Sequence, residues 1–295
     1  MNGLLLVGHG SKSPTAAAET AAIGRMISRA LPGDAVEVGF LEMTDPPAAA
    51  VLGSLVERGC RRVTVLPLML LGAGHAKSDV PALVLAARER YRDLDYPIEI
   101  VLGAPLGVTR DLVATLGDRV NRSGAGGLPL LLVARGTSDP DANGDAAKVS
   151  RLVAEWTGAP FAHAAFTGVT GPRVPDGLDV FDRLGHRRMA VAFWFLCHGL
   201  LIDRARAEID EFTSRTGVEV IDAGYIGPVP SLVPVVLDRY REALAARPAH
   251  NCDLCAYRAP WPGREDRVGQ PAGTGHSHLA ATHGTDHTHD HGLRP

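Results

Sequence analysis

The chain of 295 residues is short of three things: cysteine, with four in all, aromatic residues, at 5%, and excess charge, with 30 Lys and Arg set against 33 Asp and Glu. Each shortage narrows the field. Cys60, Cys197, Cys252 and Cys255 are too few and too unevenly placed for a disulfide framework, and point instead to reduced thiols or a metal-linked pair. A formal charge of −3 gives no broad basic field, so neither nucleic acid nor an anionic membrane is expected as the main partner. No apolar run is long enough to span a bilayer, and MNGLLLVGHG lacks the charged flank and cleavage site of a secretory leader, so the expected compartment is the cytoplasm. What the chain does have is 45% hydrophobic residues over a length that suits two compact domains.

The apolar runs GLLLVG (3–8), AVEVGF (35–40), RVTVLPLML (62–70) and PIEIVLG (97–103) alternate with stretches rich in Ala, Leu, Arg and Glu. That alternation predicts βαβα units and a parallel sheet. The pattern is then written a second time. LPLLLVARGTSDP (128–140) answers LLLVGHGSKSP, and both reach a proline at the first helical position behind a capping Ser13 or Asp139. AFTGVTGPR (165–173) answers GFLEMTDPP (39–47), VAFWFLCHGLLIDR (191–204) answers LPLMLLGAGHAKSD (66–79), and VLDRY (236–240) answers LGDRV (116–120). The offset stays between 120 and 126 residues, which predicts two copies of one α/β unit, 1–124 and 127–247, joined at Ser123-Gly124-Ala125-Gly126-Gly127. Residues 248–295 turn to Gly, Pro, Thr and His without apolar periodicity and read as a disordered tail.

In an open parallel sheet the loops leaving the carboxyl ends of the strands share one edge, and ligands sit where the strand order reverses. His9 follows the first strand, Glu42 the second and His75 the third. With strand order 2-1-3-4 these strands are neighbours, and two imidazoles and a carboxylate are expected to converge. Each alone has a plainer reading: a histidine in a loop is usually a hydrogen-bonded loop residue, and Glu42 beside Thr44 and Asp45 could cap the next helix. The duplication supplies a contrast, because Arg135 stands at the place of His9, Gly168 at that of Glu42 and Leu200 at that of His75. The first copy is therefore expected to hold the chemistry.

LLLVGHGS, the downstream LPLMLLGAGHAKSDVP and the LLLVARGTSDPDAN that opens the second half together resemble the CbiX/SirB-type sirohydrochlorin chelatases, over about 245 residues. The resemblance implies two duplicated flavodoxin-like domains, each with a four-stranded parallel sheet, facing across a cleft. It implies insertion of Co2+ or Fe2+ into a tetrapyrrole, with the metal at His9 and His75 and an acidic partner at Glu42. An Arg at the first His position of the second half, as at Arg135, also fits the family; His198, where a small hydroxyl residue is expected before Gly199, departs from it and reads as core or cleft lining. Such chemistry suits these groups. Neutral imidazole binds Fe2+ and Co2+ and accepts a proton near neutrality, and a carboxylate can orient an imidazole through its second nitrogen or carry the proton away. A substrate ringed by carboxylates also needs cations, for which Lys12, Lys77, Arg135, Arg173 and Arg204 are candidates, and Arg135 is favoured for its bidentate guanidinium.

Cys252 and Cys255 form a C-x-x-C pair outside any βα turn, and two thiolates alone cannot complete a tetrahedral site. The resemblance allows an iron–sulfur centre there, zinc is an alternative, and a structural pair a third. His276, His278, His283, His287, His289 and His291 suggest soft metal capture for storage or delivery. The leading expectation is a cobalt-inserting chelatase, with an iron-inserting one close behind and neighbouring enzymes of tetrapyrrole biosynthesis as partners. A metal storage or chaperone protein is the rival from another class, and phosphoryl transfer through His9 is disfavoured because Gly8 stands where an Arg would be needed.

Overall fold

A computed structural model describes residues 1–245. In the first half β1 (Asn2–Gly8), α1 (Pro14–Ala30), β2 (Ala35–Phe40), α2 (Ala48–Glu57) and β3 (Arg62–Pro67) lead into a π-helical turn, His75–Asp79. It continues into α3 (Val80–Arg90), followed by β4 (Glu99–Leu102) and α4 (Arg110–Arg122). The second half repeats the order with β5 (Leu130–Ala134), α5 (Pro140–Thr157), β6 (Ala162–Phe166), α6 (Val174–Arg183) and β7 (Arg188–Phe193). It ends with α7 (Leu200–Thr216), β8 (Glu219–Tyr225) and α8 (Leu232–Leu244).

Each half forms a four-stranded parallel sheet, in orders β2-β1-β3-β4 and β6-β5-β7-β8, so both reverse between the first and third strands of the half. The central strands read as unbroken apolar runs because both of their faces are covered. Leu4 and Leu6 turn inward and Leu5 and Val7 outward, and none of the four is exposed; Leu130 and Leu132 against Leu131 and Val133 repeat the division. Ser13 and Asp139 cap α1 and α5 as their sequence positions predict, each accepting a backbone N–H from the first turn behind a proline.

The two inner faces share one core. Leu6 and Ile23 of the first half pack in the same cluster as Leu116 of α4, Val149 and Val153 of α5, and Val236 and Tyr240 of α8. Helices α1, α4, α5 and α8 are thus sandwiched between the sheets, while α2 and α3 cover the outside of one and α6 and α7 the outside of the other. The joint differs from the loose linker that its glycines suggest: Ala125 is fully buried, and the Gly127 N–H donates to the Thr157 carbonyl. Cys60 and Cys197 are free thiols, whereas Cys252, Cys255 and the histidines from His276 to His291 lie outside the described residues.

Candidate metal centre

Gly10 explains how the loops after β1 and β2 close on one another. Its φ of +101° is one that L side chains avoid, and a Cβ there would fall 1.7 Å from the Glu42 carbonyl oxygen. The Glu42 N–H donates to the His9 carbonyl at 3.1 Å, and the Ser11 N–H to the Thr44 hydroxyl at 2.9 Å. Gly10 is therefore needed for loop-to-loop contact, and the imidazole before it is carried toward the loop after β3. There the π-helical turn begins with His75. Single π turns occur frequently at functional sites.

His9 Nε2 lies 2.9 Å from His75 Nε2, with the rings edge-on at 88°, and the Glu42 carboxylate lies 3.3 Å from the same nitrogen of His9. The other ring nitrogens are already engaged. His9 Nδ1 donates to the Gly10 carbonyl at 3.0 Å, and His75 Nδ1 pairs with the buried Asp79 carboxylate at 2.6 Å. A carbonyl only accepts, so the His9 ring proton sits on Nδ1 and leaves the Nε2 lone pair facing His75. Two such lone pairs and a carboxylate repel one another unless a proton or a metal cation lies among them. Burial pushes the His9 pKa down to about 4, helped by the Arg135 charge and by the neighbouring His75 and opposed by the Gly10 carbonyl and Glu42. His9 is thus a neutral donor across the physiological range.

The spacing also limits the coordination. Two nitrogens 2.9 Å apart, each about 2.1 Å from a shared ion, subtend roughly 90° at it, as adjacent corners of an octahedron do. His9, Glu42 and His75 offer donor atoms all within 4.8 Å of one another, a two-histidine, one-carboxylate set of the kind that holds Fe2+ with positions left open.

These observations sort the expected residues. His9, His75 and Glu42 come together. Glu42, however, does not orient an imidazole through its second nitrogen: it meets the Nε2 that faces His75, and the orienting groups are Gly10 and Asp79. Asp79 is the residue that the sequence reading missed, although its place four residues after His75 on a helical turn is the signal that could have found it. Arg135 is solvent-accessible and close enough to Glu42 and His9 to act on both through its charge, and Lys12 is exposed on the β1–α1 loop. Lys77 overturns its expected role at the substrate. Its ammonium is buried and lies 2.8 Å from both Asp139 and Asp141, committed to the second half rather than offered to a ligand. Arg173 and Arg204 are exposed on the second half. His198 lines the contact between the halves, its N–H donating to Glu19 and its Nε2 lying 3.0 Å from Asp203.

The sequence profile of the CbiX family matches residues 3–123 and again 129–243. This chain belongs to the CbiX family. A sirohydrochlorin cobaltochelatase of Priestia megaterium is 33% identical to this CbiX protein over 265 residues, covering 88% of the chain and 85% of the relative. A sirohydrochlorin ferrochelatase of the same organism is 26% identical and covers 84% and 92%. The structure of SirB from Bacillus subtilis with Fe3+ superposes with a TM-score of 0.73 at 27% identity, over 83% of the CbiX chain and 96% of SirB.

Proposed function

We propose that this CbiX protein is a sirohydrochlorin chelatase that inserts a divalent metal, cobalt in preference to iron, into its tetrapyrrole substrate. The observation that carries the reading is the pair of Nε2 atoms 2.9 Å apart with a carboxylate beside them, each ring fixed from behind. His9, His75 and Glu42 hold the incoming ion, and Arg135 and Lys12 receive carboxylates at the rim of the macrocycle. The charge balance is that of an exchange. One divalent ion moves from protein to ring and two pyrrole protons move the other way, with the Glu42 carboxylate beside the ion to pass them to solvent. Three protein donors leave positions open, so the ion can leave. In this reading residues 1–124 are the catalytic half and 127–247 the half that faces it.

Cobalt is favoured by the reach of the cobaltochelatase match. A span of 88% of 295 residues cannot be reached without crossing Cys252 and Cys255, whereas the ferrochelatase match at 84% can stop short of them. We assign that pair to an iron–sulfur or zinc centre and the histidines of 248–295 to metal delivery, with the protein in the cytoplasm among the enzymes of tetrapyrrole biosynthesis. No helix of the described residues is long and apolar enough to cross a membrane.

Anaerobic insertion into sirohydrochlorin, followed by the absorbance of the macrocycle with Co2+ and Fe2+ in parallel, tests the proposal. His9→Ala and His75→Ala are expected to lower the rate at least about a hundredfold, because each removes one of the nitrogens that hold the ion. A chain lacking 248–295 should keep insertion. Unchanged rates in both histidine variants would sink the site, and loss of bound metal with no insertion in any form would favour a storage protein.

A further inference from the structure

We infer that Met43, Val169 and Leu200 form an apolar rim that grips the faces of the macrocycle, an inference that rests on the chelatase reading. Met43 is 52%, Val169 71% and Leu200 65% exposed, and all three stand on loops or helix starts at the carboxyl edges of the sheets. The other large apolar side chains exposed among the described residues lie at the amino edges or on α5.

Two of the three are held at a conformational cost. The Thr44 N–H donates to the Glu42 carbonyl across Met43, and the Thr170 N–H donates to the Gly168 carbonyl across Val169, both at 2.7 Å. These are γ-turns of the rarer hand, with φ of +58° at Met43 and +66° at Val169. A glycine would adopt either turn without strain, and a β-branched residue does so least readily. Yet both copies of the unit place there an apolar side chain aimed at solvent. The first turn carries Glu42, whose N–H binds the His9 carbonyl, and the second is tied to Arg135 in the same way through Gly168. Arg135 is near enough to His9 and Glu42 to act on both through its charge, so the two turns stand at one site from opposite halves. Leu200 opens α7 at the place that His75 has in the first half, so the second half presents hydrocarbon where the first presents a metal donor.

A tetrapyrrole has two apolar faces inside a ring of carboxylates. His9, His75 and Glu42 address its central nitrogens and Arg135 its margin, while Met43, Val169 and Leu200 supply the surface that removes its faces from water. They act on substrate affinity, not on metal binding.

Titration of metal-free sirohydrochlorin into the full-length chain, read by the absorbance of the macrocycle, tests this. Met43→Ser, Val169→Ser and Leu200→Ser should each weaken Kd by about fivefold to tenfold, and KM should rise in parallel. The kcat, and Co2+ affinity measured without sirohydrochlorin, should stay at the wild-type level, and Val169→Ile should bind as the wild type does. Val169→Gly relieves the turn, so its Tm should rise by a few degrees while its Kd weakens. Opposite signs in one variant are not what a residue kept for folding produces. Serine variants that bind as tightly as the wild type, or a Val169→Gly chain with Kd unchanged, overturn the rim and leave the chelatase reading standing. A wild-type chain that does not bind sirohydrochlorin overturns both.

Discussion

His75 touches its neighbours through both ring nitrogens, and the 2.6 Å contact to Asp79 decides which of them is left for a metal. A buried carboxylate behind an imidazole fixes the tautomer and raises the basicity of the outward nitrogen. Asp79→Asn is expected to lower Co2+ affinity by about tenfold to a hundredfold without unfolding the chain, as titration calorimetry and circular dichroism would register. An unchanged affinity would remove Asp79 from the site. His9 makes a second prediction through pH. Its pKa is about 4 when folded against 6.5 when free, so between those values the unfolded chain binds more protons than the folded one. Stability contributed by the neutral ring is complete above 6.5 and is lost as pH falls toward 4. Thermal unfolding midpoints should drop across that window, and His9→Asn should flatten the drop. The convergence of His9, Glu42 and His75 was legible in the sequence because each follows a strand that had to end at one edge. Asp79 was missed although its i,i+4 spacing from His75 carried a signal, because hydropathy does not announce the turn that pairs them.

Among the elements, the π-helical turn has two attachments of different kinds. One of its faces turns His75 toward His9, and the buried Lys77 ties the turn to Asp139 and Asp141 at the start of α5. Removing the cation would leave a fully buried carboxylate without its counter-charge, a mechanism that costs roughly 3 kcal/mol or more. Lys77→Met should therefore lower the thermal midpoint substantially, while Lys77→Arg lowers it less; equal midpoints in all three proteins would show that the tie carries no stability. The strand cores were readable from their apolar runs, and β2 keeps the bounds of its run at both ends, but not every end was legible. The run RVTVLPLML continues to residue 70, whereas β3 stops at Pro67, because Leu68 and Leu70 stay buried in the shared core after the chain has left the sheet. Burial wrote the apolar pattern there, and hydrogen bonding drew the boundary.

At the scale of the molecule, the repeat at a nearly constant offset made two copies of one unit evident, while their joining into a single core was hidden, because it depends on which helix faces meet. Leu4, Leu6, Ile23, Leu116 and Val120 are covered from the second half as well as the first. Residues 1–124 expressed alone should consequently dimerise or aggregate, as size-exclusion chromatography would reveal, and a soluble monomer with native thermal stability would contradict the shared core. The asymmetry between the halves has a further result for stereochemistry. Nitrogen donors stand in the first half, and Arg135, Gly168 and Leu200 occupy the matching places in the second. In the proposed chelatase, a ring lying between the halves would take its ion through one face only, the face turned toward His9 and His75.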